Sequence, residues 1–205
     1  MRAIFGFSVK KEGNVSEKFS SKGKIILNKI KKERKITGEE VFIKPQHSDK
    51  AVIVDGRIGP VTCDAAITKE KEKPLLLATA DCLPVFILTQ GSVALVHAGR
   101  KGTQKNILYK TLVKLVLYNH HLQKKMQVFF GPCIGPCCYS VDLWAENIKQ
   151  AFLFAQKEPA WEIKINNKKR PECTCCAWEG KDYLFFSHAR KHLEEGRNLA
   201  YIIKK

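Results

Sequence analysis

Hydrophobic residues come in two rhythms along the chain. Short continuous apolar runs dominate the middle: Leu75 to Ala78, Leu83 to Leu88 and Val93 to Val96. They are too short for helices and too continuous for half-exposed strands, so they predict strands buried on both faces. Val128 to Phe130 reads the same way and is closed by Gly131-Pro132. Ala3 to Val9, Val41 to Lys44, Ala51 to Val54, Leu184 to Phe186 and Ala200 to Ile203 complete the predicted strands. The second rhythm is helical. From Thr103 to Tyr118, Ile107, Leu108, Leu112, Leu115 and Val116 recur three and four apart. Asp142 predicts the cap of another helix, with Trp144, Ile148, Ala151, Phe152 and Ala155 on its apolar face. Glu17 to Lys32 predicts a third, capped by Ser16 and weakened by Gly23. Lys157 to Pro171 reads as polar and irregular. There is no repeat and no linker-like break, which predicts one mixed α+β domain over residues 1–205.

Composition narrows the class. The chain has 205 residues, 44% hydrophobic and 27% charged, an ordinary globular balance. No apolar run approaches the roughly 20 residues needed to span a bilayer. The first residues, Met1 to Phe7, hold one cation and too short an apolar run for a secretory signal, so a cytoplasmic location is expected. Lysine and arginine total 36 against 20 acidic residues, giving +16. Such a charge suits phosphate esters or nucleic acid, but the cations are scattered and not interleaved with aromatics. Nucleic acid is therefore a possible partner and not the favoured one.

The eight cysteines are expected to be reduced in that compartment. Cys133, Cys137 and Cys138 form one cluster; Cys173, Cys175 and Cys176 form another. Together they could furnish a four-thiolate zinc site, but the first lies in a Gly-Pro-rich turn and the spacing is not that of a ribbon or finger. Other polar residues interrupt or end buried strands. His47 sits between two of them, Cys82 lies in Thr79-Ala80-Asp81-Cys82-Leu83-Pro84, and His97 ends a run in Val96-His97-Ala98-Gly99. A thiolate and two imidazoles make a sound zinc set with a fourth position open. Spacing alone does not bring them together. His120 and His121 suggest a helix end, and His188 and His192 a basic turn.

At these motifs the sequence resembles the YfiH family, once described as multicopper polyphenol oxidases or laccase-domain proteins and now as purine nucleoside phosphorylases. The matching stretches are Cys63-Asp64-Ala65-Ala66-Ile67-Thr68, the segment from Thr79 to Pro84, Val96 to Gly99, and Gly131 to Val141. Cys173-Thr174, Phe185-Phe186-Ser187 and Gly196-Arg197-Asn198 follow in the family's order. The resemblance implies mixed β-sheets flanked by helices and one zinc ion held by His47, Cys82 and His97. It also implies phosphorolysis of purine nucleosides, mainly adenosine and inosine, with adenosine deaminase and methylthioadenosine phosphorylase activities. Arg100, Lys101 and Arg190 are the cations placed by motif to hold phosphate, and Asp64 and Asp81 the carboxylates placed to move protons. Three segments depart from the family, the first being Pro45-Gln46-His47-Ser48 in place of the usual Gln-x-His-Gly. Arg100-Lys101 stands where members usually carry Trp-Arg, and His188-Ala189-Arg190 where they carry Tyr-Arg-Arg. Lysine does not reproduce the planar two-pronged contact of arginine with phosphate. A copper oxidase, a metal-free Cys82–His97 hydrolase and a basic nucleic-acid-binding or inactive family member are the other readings. Six scattered histidines are few for a set of copper centres.

Overall fold

The computed structural model describes residues 2–16, 21–119, 124–166, 169–190 and 195–205. His120, His121 and His192 lie outside them, as does part of the helix expected from Glu17. Two mixed sheets dominate. The first is ordered β1 (Ala3–Phe7), β13 (Asn198–Lys204), β6 (Pro74–Thr79), β2 (Val41–Lys44) and β4 (Gly59–Thr62). The second is ordered β10 (Glu162–Ile165), β9 (Lys125–Phe130), β7 (Leu83–Thr89), β8 (Val93–Ala98), β5 (Ala65–Thr68) and β3 (Ala51–Ile53). A small hairpin joins β11 (Trp178–Glu179) and β12 (Asp182–Tyr183).

Side-chain alternation explains the layering. Leu75 and Leu77 of β6 share one core with Phe86 and Leu88 of β7 and Val93 and Leu95 of β8, so the two sheets face each other. Leu76 points the other way and packs with Ile30 of α1 (Gly23–Glu33). Val85, Ile87, Ala94 and Val96 face away from the first sheet, toward Leu108, Leu112 and Leu115 of α3 (Ile107–Tyr118) and Phe154 of α4 (Leu143–Lys157). The result is helix, sheet, sheet, helix. Both faces of the central strands β6, β7 and β8 are covered, which is why these read as unbroken apolar runs.

Several elements differ from the sequence expectation. The long helix starts as a separate short one, α2 (Arg100–Gln104), and Asn106 at φ 60° breaks it before α3. Glu162–Ile165, within the segment expected to be irregular, is an edge strand paired parallel to β9. Phe185 and Phe186 are buried and Leu184 partly so, but the three form no strand. On α4 the apolar face is rotated: Phe152 is exposed, and Phe154 is fully buried in its place.

Candidate metal centre and active-site cavity

The two sheets open at one end, and the sequence-predicted ligands meet there. The chain leaves the first sheet at Thr79, turns through Ala80-Asp81-Cys82 and enters the second at Leu83. Asp81 makes the turn at φ 80°. Leu83 pairs with Ala98 and Pro84 with His97, so Cys82 emerges beside the end of β8. His97 lies on the face of β8 that looks between the sheets, with Val93 and Leu95. His47 follows β2, at φ 57°. The ligand atoms of His47, Cys82 and His97 all lie within 4.8 Å of one another, and the Cys82 sulfur is 4.0 Å from Nε2 of His47.

Asp64 organises this triad from behind. Its carboxylate accepts backbone N–H bonds from Gln46 (3.3 Å), His47 (2.9 Å) and Ser48 (2.9 Å), and the Ser48 hydroxyl at 2.6 Å. This cage holds His47 in its left-handed conformation, which would otherwise be unfavourable for a residue with a Cβ. The same carboxylate lies 3.0 Å from Nδ1 of His97. A carboxylate only accepts, so Nδ1 carries a proton, and Nε2 is the nitrogen that would bind a metal ion once the ring is neutral. Burial would raise the Asp64 pKa, but the bonds from His97 and Ser48 outweigh it and hold the group at about 2. Burial likewise opposes charge on Cys82 and His97. Their mutual attraction overrides it, bringing the thiol down to about 6 and the imidazole up to about 9.

Room at the centre depends on Gly99. A Cβ there would stand 2.9 Å from the Cys82 sulfur and 3.1 Å from Cδ2 of His47. One thiolate and two imidazoles, one of them oriented by a carboxylate, would suit an ion such as zinc, and all three line one cavity. That cavity measures about 700 Å³, within the usual range for small-molecule sites. Arg100, Lys101, Arg197, Tyr139, His188 and Asp81 are among the residues lining it.

The remaining site residues divide. Arg100 and Lys101 start α2 at the rim, and both are exposed. Arg190 does not reach the cavity lining. Its guanidinium donates to the carbonyls of Thr174 (2.8 Å), Cys175 (2.6 Å) and Phe185 and lies over the Tyr183 ring, so its charge ties down the chain. Asp81 faces the cavity, but its carboxylate accepts from the Thr174 hydroxyl and the Ala189 amide, each at 2.7 Å. Arg197, Tyr139 and His188 were not expected at the site. Arg197 and Tyr139 belong to quoted motifs, yet a motif match gives no direction for a side chain. Burial pushes the Arg197 pKa down, against the attraction of Asp81 and Cys82.

The comparisons agree with this architecture. Residues 26–171 match the family described as multi-copper polyphenol oxidoreductase laccase. A purine nucleoside phosphorylase of Campylobacter jejuni is 32% identical over 170 residues, covering 73% of this chain and 71% of the relative. One of Aquifex aeolicus is 31% identical over 172 residues, covering 76% and 82%. Among solved structures, YlmD of Geobacillus stearothermophilus superposes with a TM-score of 0.81 at 21% identity, over 99% of this chain and 92% of that one. YfiH of Bacillus licheniformis gives 0.78 at 20%, over 99% and 93%. The length of the family match and the two relatives above 30% identity together show that this chain belongs to the multi-copper polyphenol oxidoreductase laccase family, among whose relatives are proteins named purine nucleoside phosphorylase.

Proposed function

We propose that the chain is a zinc-dependent purine nucleoside phosphorylase acting on adenosine and inosine. The reading rests on one observation: the His47–Cys82–His97 set, anchored by Asp64, lies at the wall of a cavity that Arg100, Lys101 and Arg197 also line. Zinc would be held by those three side chains and would supply Lewis acidity and a fixed point for substrate. The chain's own residues do the rest. Arg197, with Arg100 and Lys101 at the rim, attracts phosphate. Phosphate oxygen attacks the anomeric carbon as the bond to the base nitrogen breaks, giving pentose 1-phosphate and free base. Asp81, which lines the cavity, would exchange a proton with the base, while Asp64, fully enclosed by its donors, would act as a positioning residue. Adenosine deamination and methylthioadenosine phosphorolysis belong to the same proposal as side activities of one cavity.

The family description raises copper oxidation as a second reading. Among the described residues, the metal-ligand groups are this triad and a set of four cysteines, with no histidine-rich cluster beside them. That donor inventory suits zinc better than several coppers. The deciding assay measures phosphate-dependent release of adenine and hypoxanthine by protein of known metal content, beside Cys82→Ala. Base release that requires phosphate and is lost with the metal in the variant is the expected result. Full metal occupancy without base release would overturn the assignment and bring salt-dependent nucleic-acid binding forward.

A further inference from the structure

Away from the triad, the fold gathers four more sulfurs. Cys137 and Cys138 lie in a turn after β9, closed by amides of Cys138 and Tyr139 on the Gly135 carbonyl, both at 3.0 Å. Cys173 and Cys176 lie in a second turn, closed by the Ala177 amide on the Cys173 carbonyl at 2.9 Å. A bridge between Cys133 and Cys173 lays the two turns side by side, and the Thr174 amide donates to the Cys133 carbonyl at 3.0 Å. As a result the sulfurs of Cys137, Cys138, Cys173 and Cys176 all fall within 4.8 Å of one another. Cys133 and Cys175 stay outside the group, although the sequence clusters include them.

Packing accounts for only half of this convergence. Buried thiols serve as small hydrophobes, and Cys138 and Cys173 lie partly buried against the helix-side core, but Cys137 and Cys176 are exposed and gain nothing from it. Spacing separates a metal site from a disulfide. The Cys137 and Cys176 sulfurs are 3.5 Å apart, against about 2.0 Å in a disulfide. Four sulfurs at about 2.3 Å from a tetrahedral zinc ion are about 3.8 Å apart, a spacing compatible with sulfurs that all lie within 4.8 Å of one another. The Gly135 amide donates to the Cys173 sulfur at 3.2 Å, the kind of outer bond that orients a thiolate ligand. Gly135 also leaves the space clear, since a Cβ there would come within 3.3 Å of the Cys137 sulfur.

We infer that Cys137, Cys138, Cys173 and Cys176 form a second metal site, a closed four-thiolate zinc centre that staples the two turns together. Its consequence for the cavity runs through Thr174, in the second turn. Thr174 donates its hydroxyl to Asp81, and Arg190 binds its carbonyl. The Ile134 amide, from the segment between β9 and the first turn, donates to the Asp81 carbonyl at 2.9 Å. The staple therefore supports the Asp81-Cys82 wall from both sides without touching substrate. The inference stands independently of the phosphorylase reading.

The test is metal stoichiometry, by native mass spectrometry and elemental analysis, on the full chain purified under reducing conditions and loaded with zinc. Two ions per wild-type chain, one in Cys82→Ala and one in the pair change Cys137→Ser with Cys176→Ser, are expected. Cobalt loading adds a signature. Strong thiolate-to-metal charge-transfer bands should persist in Cys82→Ala and vanish in the pair change. One ion in wild type and none in Cys82→Ala would overturn the inference, as would a Cys137–Cys176 disulfide found by mass in protein kept reduced. Should the pair variant fail to fold, the wild-type and Cys82→Ala counts decide alone.

Discussion

The triad and the four-cysteine group gather soft ligands by opposite routes. His47, Cys82 and His97 are separated by 35 and 15 positions and meet only because two sheets end at the same edge. The cysteines arrive as two local pairs on turns, and a single bridge aligns them. The triad is backed by Asp64 and lines a cavity; of the four cysteines Cys137 and Cys176 are exposed, and none of the four lines that cavity. An open, carboxylate-oriented set suits chemistry and a closed four-sulfur set suits structure. The comparison breaks most visibly at Cys82. Cys82→Ala should cost base release more than about 100-fold, beyond the usual loss from an outer-shell change. Its thermal midpoint should move little if the cysteine staple is intact. A collapse of stability equal to that of the cysteine pair variant, followed by circular dichroism, would erase the distinction.

Asp64→Asn comes next. Asparagine still accepts from His97 but loses the charge that favours the donor tautomer and the amide cage around His47. Metal affinity at the triad should fall about 10–100-fold, measured by chelator competition. The variant also has a pH signature. The folded Asp64 pKa of about 2 lies below its ordinary 3.8. Its stabilisation is therefore complete above about pH 4 and is lost as pH falls toward 2, worth on the order of 2 kcal/mol. Acid unfolding of metal-free Asp64→Asn should lack that dependence.

How much of this was legible beforehand differs between the two regions too. The apolar runs of β6, β7 and β8 announced doubly covered strands because both faces of these central strands are packed. The break at Asn106 was invisible, because a left-handed residue there leaves the flanking apolar spacing intact. Edge strand β10 escapes the pattern because its polar-apolar alternation, Glu-Ile-Lys-Ile, runs for only four residues in an otherwise polar segment. Phe152 and Phe154 are two apart, so helical spacing alone could not choose which was buried. The triad was reached through the family motifs, since strand register and not sequence separation joins residues 47, 82 and 97. The cysteine clusters were each plain to read. Which sulfurs converge was not, because it depends on the turns that send Cys133 inward and Cys137 outward.

Gly99→Ala probes the crowding at the triad. A methyl group 2.9 Å from sulfur must displace Cys82 or His47, at a cost of about 1–3 kcal/mol by the usual measure of overpacking. Zinc affinity and base release should both fall, while the second ion stays bound. Loss of both ions would mean that the two regions are one cooperative unit, and native mass spectrometry separates these outcomes.

The smallest effect is expected at the rim. Arg197 is partly buried beside Asp81 and Cys82, whereas Arg100 is exposed at the start of α2. An exposed charge acts through solvent and is screened within about 8 Å at physiological ionic strength. Arg100→Ala should therefore raise the KM for phosphate only a few-fold, an electrostatic effect, and the difference from wild type should disappear in high salt. Arg197→Ala should raise the same KM more, roughly ten-fold, and keep the difference in salt, because a charge-assisted bond made inside a cavity is both stronger and less screened. Equal, salt-sensitive effects at the two positions would mean that phosphate is gathered by general charge and that Arg197 does not bind it directly. The +16 surface would then account for anion capture without a dedicated residue.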